Sequence, residues 1–148
     1  MKRFILGILL FALVLAGCSQ ATATPAATQT KLAVSGGSIT KSYTVADLQK
    51  LSSTKATFSN VEYVGVTLSA LLKDAGFDLS QVKAVKAVAS DGFTVNYEPA
   101  LINKEDTLVA YARSDGALTA DDGSFRMVLP EQEGKLNARQ VVEIQVTQ

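Results

Sequence analysis

The sequence predicts one α+β domain over residues 31–148, mostly β, with a mixed sheet and two or three short helices. Segments rich in β-branched and aromatic residues alternate with glycine and aspartate turn signals along most of this range. This spacing is typical of short strands and hairpins. Helical spacing of apolar residues is confined to short runs and no internal repeat is visible, so one domain is expected.

Two strands and a short helix open the predicted domain. Residues 32–35 alternate and reach the turn signal at 36–37, and residues 39–43 alternate again. Thr44 is followed three positions later by Asp47. This pair forms a capping box, which predicts that a short helix begins there.

The clearest helix comes after residues 56–64, which are predicted to form one extended segment because they are rich in strand formers. Thr67 is a helix-capping residue, and Gly76 is the type of residue that ends a helix. Between them apolar residues recur on one helix face: Leu68, Leu71, Leu72 and Ala75.

The second half of the domain is predicted to be strands joined by tight turns. Aspartate-glycine pairs at residues 91–92 and 115–116 are turn signals, and Pro99 favours one helical turn over 99–103. The predicted strands cover residues 82–88, 93–97, 107–112, 125–129 and 141–146.

Composition excludes several classes of function. The chain has 14 basic and 14 acidic side chains, a balance that leaves no electrostatic footprint for nucleic acid. It has no histidine and one cysteine, Cys18. This excludes catalysis by serine–histidine–aspartate or cysteine–histidine groups. It also excludes the usual ligand sets for zinc, copper and haem, and an internal disulfide.

The N-terminus has the pattern of an exported lipoprotein. Residues 1–3 include Lys and Arg, residues 4–14 are almost wholly apolar, and residues 15–18 are Leu-Ala-Gly-Cys. The apolar run matches a secretory signal and is shorter than the roughly 20 residues of a membrane span. The last four residues resemble the lipobox of bacterial lipoproteins, in which the cysteine is lipidated and becomes the new N-terminus.

We therefore expect three parts: a signal peptide at 1–17, the lipidated Cys18 with a flexible tether at 18–30, and the folded domain at 31–148. The tether is rich in Ser, Thr, Ala and Gln, a composition that does not form a core. The mature protein is expected to be extracytoplasmic, held at a bacterial membrane by the lipid on Cys18.

Six motifs follow one another in a recognisable order. They lie at residues 43–51, 63–76, 89–93, 108–118, 125–130 and 141–146, and include Ala-Ser-Asp-Gly-Phe and Phe-Arg-Met-Val-Leu-Pro. Their order and spacing resemble the molybdopterin-binding domain of the sulfite oxidase family, in its small stand-alone form. The resemblance implies the mixed α+β fold of that family and a relation to its oxidoreductases.

Departures from the family pattern bear on the cofactor. The stretch that carries the molybdenum-ligating cysteine in the enzymes is Thr-Phe-Ser-Asn-Val here, at 57–61. A hydroxyl or an amide does not replace a soft thiolate ligand. Asp122 stands where the family has a histidine, Arg139-Gln140 replaces a lysine-tryptophan pair, and the long cofactor-binding insertions are missing. We therefore expect no bound molybdopterin and no redox catalysis.

The resemblance also names four candidate ligand-binding residues. Arg126 matches an arginine that lies near the oxyanion substrate in the enzymes, which makes it a candidate donor to an anion. Asn60 and Tyr63 fall where the enzymes hold their cofactor, and Arg139 joins them if the resemblance holds locally.

Purely structural roles are the alternative for Arg126 and for the nearby aspartates. Arg126 is explained slightly better, without a cofactor beside it, as an arginine of the fold that pairs with a carboxylate such as Asp121 or Asp122. Those aspartates and Asp115 have the oxygen ligands that a calcium ion prefers, but no EF-hand pattern surrounds them. Acidic residues in turns are more often simple turn formers, and no metal site is expected.

The sequence supports a non-catalytic, lipid-anchored module that binds a small anionic ligand or an envelope protein. An extracytoplasmic oxidoreductase, or a subunit of a redox complex that still binds a pterin, is the alternative from the family resemblance. A structural envelope protein without a small ligand is the third possibility, and exposed apolar patches rather than a concavity would favour it.

The lipid anchor is tested by Cys18→Ala, with Ser19→Ala as the control. We expect the Cys18 variant to lose the lipid mass and the cleavage before residue 18, because the thiol is the acylated group. Mass spectrometry of the N-terminal peptide and fractionation of membranes measure both. A Cys18 variant that is still cut at the same site and remains wholly membrane-bound would disprove the anchor.

Overall fold

The computed structural model describes residues 30–148, so the predicted signal peptide, Cys18 and nearly all of the tether lie outside the described residues. The strands are β1 Leu32–Gly36, β2 Ile39–Tyr43, β3 Ser53–Phe58, β4 Val61–Thr67, β5 Ala84–Ala89, β6 Thr94–Tyr97, β7 Leu108–Arg113, β8 Gly116–Ala117, β9 Arg126–Val128 and β10 Val141–Thr147. The helices are α1 Val45–Leu48, α2 Leu68–Ala75 and α3 Pro99–Ile102, with a 3₁₀ turn at Gly134–Leu136.

Two five-stranded sheets are formed within these residues. The first has the order β2-β1-β10-β5-β6 and is mixed, because β1 and β10 run parallel while its other pairs are antiparallel. The second has the order β3-β4-β7-β8, and β9 also pairs with β7. The predicted α+β class, mostly β with three short helices, is confirmed.

Local sequence signals explain the first two helices. The Thr44 side chain accepts a hydrogen bond from the Asp47 amide and the Asp47 side chain accepts one from the Thr44 amide, so the predicted capping box is present. Thr67 caps α2 in a similar way, and Gly76 ends that helix in the left-handed conformation at φ 102°. The apolar face of α2 is buried in the main core: Leu68, Leu71 and Leu72 are fully inaccessible.

The extended segment expected at 56–64 is instead a hairpin between β3 and β4. Phe58 pairs with Val61, and the two residues between them, Ser59 and Asn60, have φ of 50° and 63°. Positive φ at both central positions is the type I′ geometry that suits the twist of paired strands. The expectation missed this turn because Ser-Asn lacks the glycine that marks such turns in a sequence.

A small second cluster lies on the face of the second sheet that points away from the main core. It contains Ala56, Tyr63, Leu108, Ala110 and Val128, with Phe58, Val61 and Leu118 packed against it. Because side chains alternate along a strand, Met127 faces the main core while Arg126 and Val128 face this second cluster. No helix within residues 30–148 is long and apolar enough to cross a membrane.

Close packing of β4 against β7 is tested by Gly65→Ala. The pairing of these strands shifts register between Val64 and Gly65, and an added Cβ would collide with the Val109 carbonyl oxygen and lie 2.7 Å from the Ala110 Cα. We expect the free energy of unfolding to fall by about 2 kcal/mol.

Gly134→Ala is the matched control, because an added Cβ there meets no atom within 4 Å. Chemical denaturation of both variants measures the difference. Equal stabilities of the two variants would contradict the close approach at Gly65.

Candidate functional site

Arg126 is held almost entirely inside the protein, with 2% of its surface exposed. Its Nη1 donates to Asp122 Oδ1 at 2.6 Å and to the Tyr63 hydroxyl at 2.9 Å. Its Nε donates to the Met127 carbonyl oxygen at 3.4 Å. Nη1 therefore serves both the carboxylate and β4, while Nε binds the strand to which Arg126 belongs.

Two aromatic rings complete the surroundings of the Arg126 charge. The guanidinium carbon lies 4.5 Å from the centre of the Tyr63 ring and 5.8 Å from that of Phe58. At these distances the negative face of a ring attracts a cation, and the attraction is stronger where water is excluded. Arg126 thus has both a counter-ion and an aromatic cage.

Asp122 is 5% exposed and is held by its own loop. Its Oδ2 accepts hydrogen bonds from the Thr119 hydroxyl at 2.8 Å and the Thr119 amide at 3.4 Å. Burial opposes ionisation, but the hydrogen bond from Thr119 and the charge of Arg126 outweigh it and keep the pKa of the Asp122 carboxyl below its usual value. The carboxylate is ionised and well oriented.

The backbone of this loop is coupled to the segment before β10. The Gln140 amide donates to the Asp122 carbonyl oxygen at 2.8 Å. Gly123 has φ of 74°, and a Cβ there would lie 2.8 Å from the Gln140 Cα. Gln140 itself has φ of 50°, a conformation that non-glycine residues adopt at a cost and that is enriched at functional sites.

Next to Gln140 is a concavity of about 460 Å³ between the β5–β6 turn and the segment 134–140. This volume is within the range of small-molecule sites. We call it the Arg139 concavity. The side chains that matter here are Asp91, Phe93, Asp121, Lys135, Arg139 and Gln140.

The charges of the Arg139 concavity are not equally available to a ligand. Lys135 Nζ already lies 2.7 Å from a Glu133 carboxylate oxygen. Arg139 is exposed and makes no side-chain hydrogen bond or ion pair with residues 30–148. Asp91 accepts a hydrogen bond from the Phe93 amide at 2.9 Å through one carboxylate oxygen. Phe93 is 47% exposed, and its ring offers an apolar surface at the edge.

The structure brings together two of the four sequence-predicted residues. Tyr63 and Arg126 are in contact. Asn60 lies at the exposed β3–β4 turn beside a separate, smaller concavity, and Arg139 lines the one described above. The structural alternative for Arg126, a pair with Asp122, is present.

Sequence reasoning missed Asp91, Phe93 and Lys135 as possible ligand contacts. Asp91 was recognised as a turn former, and the hairpin that it predicts is observed. Asp91 and Phe93 line the same concavity as Arg139 because β5 pairs with β10, an arrangement without any local sequence signal, whereas Lys135 lies on the same segment as Arg139.

Asp122→Asn tests the buried ion pair. Loss of the counter-ion leaves a buried guanidinium unpaired, and we expect the free energy of unfolding to fall by about 3 kcal/mol at neutral pH. Because folding lowers the Asp122 pKa, the stabilisation is present above the usual aspartate value and is lost as pH falls through the folded one. The stability difference between wild type and variant should therefore be constant above about pH 5 and shrink below about pH 4.

Urea unfolding across this pH range makes the measurement, and Asp115→Asn is the control. Asp115 also pairs with an arginine, Arg113, but 72% of its side chain is exposed. Solvent screens such a pair, so little change is expected. If the two variants are equally stable, the Asp122 pair does not have the role described.

Comparisons with known proteins agree with this architecture. No curated protein matches the chain in sequence. A solved structure, the sulfane dehydrogenase SoxCD from Paracoccus pantotrophus, is similar with a TM-score of 0.67 and 22% sequence identity. The match covers 78% of this chain and 37% of that chain, and it shows a shared fold. The family model described as oxidoreductase molybdopterin binding domain matches residues 19–148, and the chain belongs to this family.

Proposed function

We propose that this protein is a lipid-anchored, extracytoplasmic binding module that keeps the molybdopterin-binding fold without molybdenum redox chemistry. In this proposal its ligand is a small polar molecule that enters the Arg139 concavity. The anchor is the lipid on Cys18, and the tether holds the domain away from the membrane surface.

The side chains that the domain could offer to a metal support the first part of the proposal, a fold without molybdenum chemistry. Residues 57–61, where the family resemblance expects the thiolate, include the two turn residues of the β3–β4 hairpin and offer hydroxyl and amide groups. Residues 30–148 contain no cysteine and no histidine, and no cluster of three potential metal ligands occurs among them. This set does not fit a metal that depends on a soft thiolate ligand.

The available charges of the Arg139 concavity support the second part. Arg139 is a free planar donor to a carboxylate or phosphate group, while Asp91 and Asp121 are acceptors for hydroxyl or ammonium groups. Phe93 offers a face for an apolar part of the ligand. A molecule that combines an acidic group with several donors therefore fits better than a simple inorganic anion.

The experiment is elemental analysis together with mass spectrometry of extracted small molecules, on protein purified from its native membrane. We expect no stoichiometric molybdenum and no pterin, and a small polar compound that co-purifies with wild type and is lost from Arg139→Ala. Lys83→Ala is the matched control, because Lys83 is an exposed cation outside the concavity.

Each outcome decides one part. Stoichiometric molybdenum or a pterin would overturn the non-catalytic role and favour the redox-subunit alternative. A compound that is retained equally by wild type and Arg139→Ala would place the ligand elsewhere. If no small compound co-purifies with wild type, Arg139→Ala or Lys83→Ala, the concavity is rejected as a ligand site.

A further inference from the structure

The ion pair of Arg126 with Asp122 is unusual for its position. The second cluster around it is apolar and aromatic, and the pair is 2% and 5% exposed. Desolvation of two charges is costly, and apolar residues of the same size are often at least as stabilising. Because apolar side chains could stabilise this region as well, stability alone does not explain why an ion pair is found here.

The two partners are presented in different ways. Arg126 comes from a strand, and its donors are fixed by Tyr63 and the aromatic cage. Asp122 comes from a loop that folds over the sheet, and its carboxylate enters end-on with Oδ1 at 2.6 Å from Nη1. Arg126 thus resembles the donor of an anion-binding site, and Asp122 resembles a bound anion that belongs to the same chain.

We propose that Asp122 is a built-in occupant of an anion site at the Arg126 guanidinium, which Tyr63 orients by accepting a hydrogen bond from Nη1. Its carboxylate takes the position that an external small carboxylate or other oxyanion would occupy, and Thr119 holds it there. The site is thereby closed in the wild-type protein.

The test removes the Asp122 carboxylate by mutation and adds a free carboxylate, formate, from solution. Asp122→Ala deletes one carboxylate group and retains the Cβ, so the missing group has the size of formate. We expect the unfolding midpoint of this variant to rise with sodium formate by about 5 °C, once formate exceeds its dissociation constant about tenfold. Sodium chloride keeps the ionic strength constant. Acetate is expected to act more weakly, because its methyl group collides with the alanine Cβ.

Three controls define the site. Wild type should not respond to formate beyond chloride, because Asp122 occupies the position. Asp122→Asn should not respond either, since its amide fills the same space. The double variant Asp122→Ala, Arg126→Met should not respond, because the cation that holds formate is absent.

Several results would overturn the proposal. One is an Asp122→Ala protein that gains no stability from formate or remains unfolded at every formate concentration. Another is a double variant that responds as strongly as Asp122→Ala, since formate would then act elsewhere. A wild-type protein that formate stabilises to the same extent would show that the site is open.

Discussion

The buried ion pair between Arg126 and Asp122 adds a side-chain link at the point where the second sheet, the loop before β9 and the segment before β10 meet, beside the backbone hydrogen bonds that already join them. Through Tyr63 it reaches β4, and through Thr119 it orders the loop between β8 and β9. The Asp122 carbonyl oxygen then accepts from the Gln140 amide, which places the segment before β10. The Arg139 concavity on the first sheet is thus linked, through the Asp122 backbone, to a charge pair on the second sheet.

The two arginines illustrate how burial decides what a cation does. Arg126 is enclosed by a carboxylate and two aromatic rings, so its donors serve the fold. Arg139 has the same chemistry on an exposed segment, and its guanidinium is available to a ligand. Both match positions that the family resemblance associates with cofactor or substrate. Their surroundings, rather than their residue type, make one guanidinium part of a buried ion pair and leave the other at the surface.

The hairpin at Ser59 and Asn60 shows how backbone geometry joins β3 and β4 in a stretch that contains no cysteine. Its two residues adopt the positive φ of a type I′ turn, and β3 and β4 pair directly on either side of it. The second cluster packs on β4 immediately beyond this turn. Apolar burial and strand pairing thus hold this region, in agreement with a chain whose described part has no disulfide-forming residue.

The sequence by itself determined the α+β class, the capping box at Thr44, the face and ends of α2, and the turn at Asp91, because these features depend on residues a few positions apart. It also suggested that Arg126 pairs with a nearby carboxylate such as Asp121 or Asp122. Tertiary structure alone decided that Asp122 is the partner, that Asn60 lies apart from Tyr63 and Arg126 in the candidate site, and that Phe93 approaches Arg139. The pair with Asp122 depends on the fold of the loop before β9, and the place of Asn60 depends on the β3–β4 turn. The meeting of Phe93 and Arg139 depends on the pairing of β5 with β10, and such long-range register leaves no trace in local spacing.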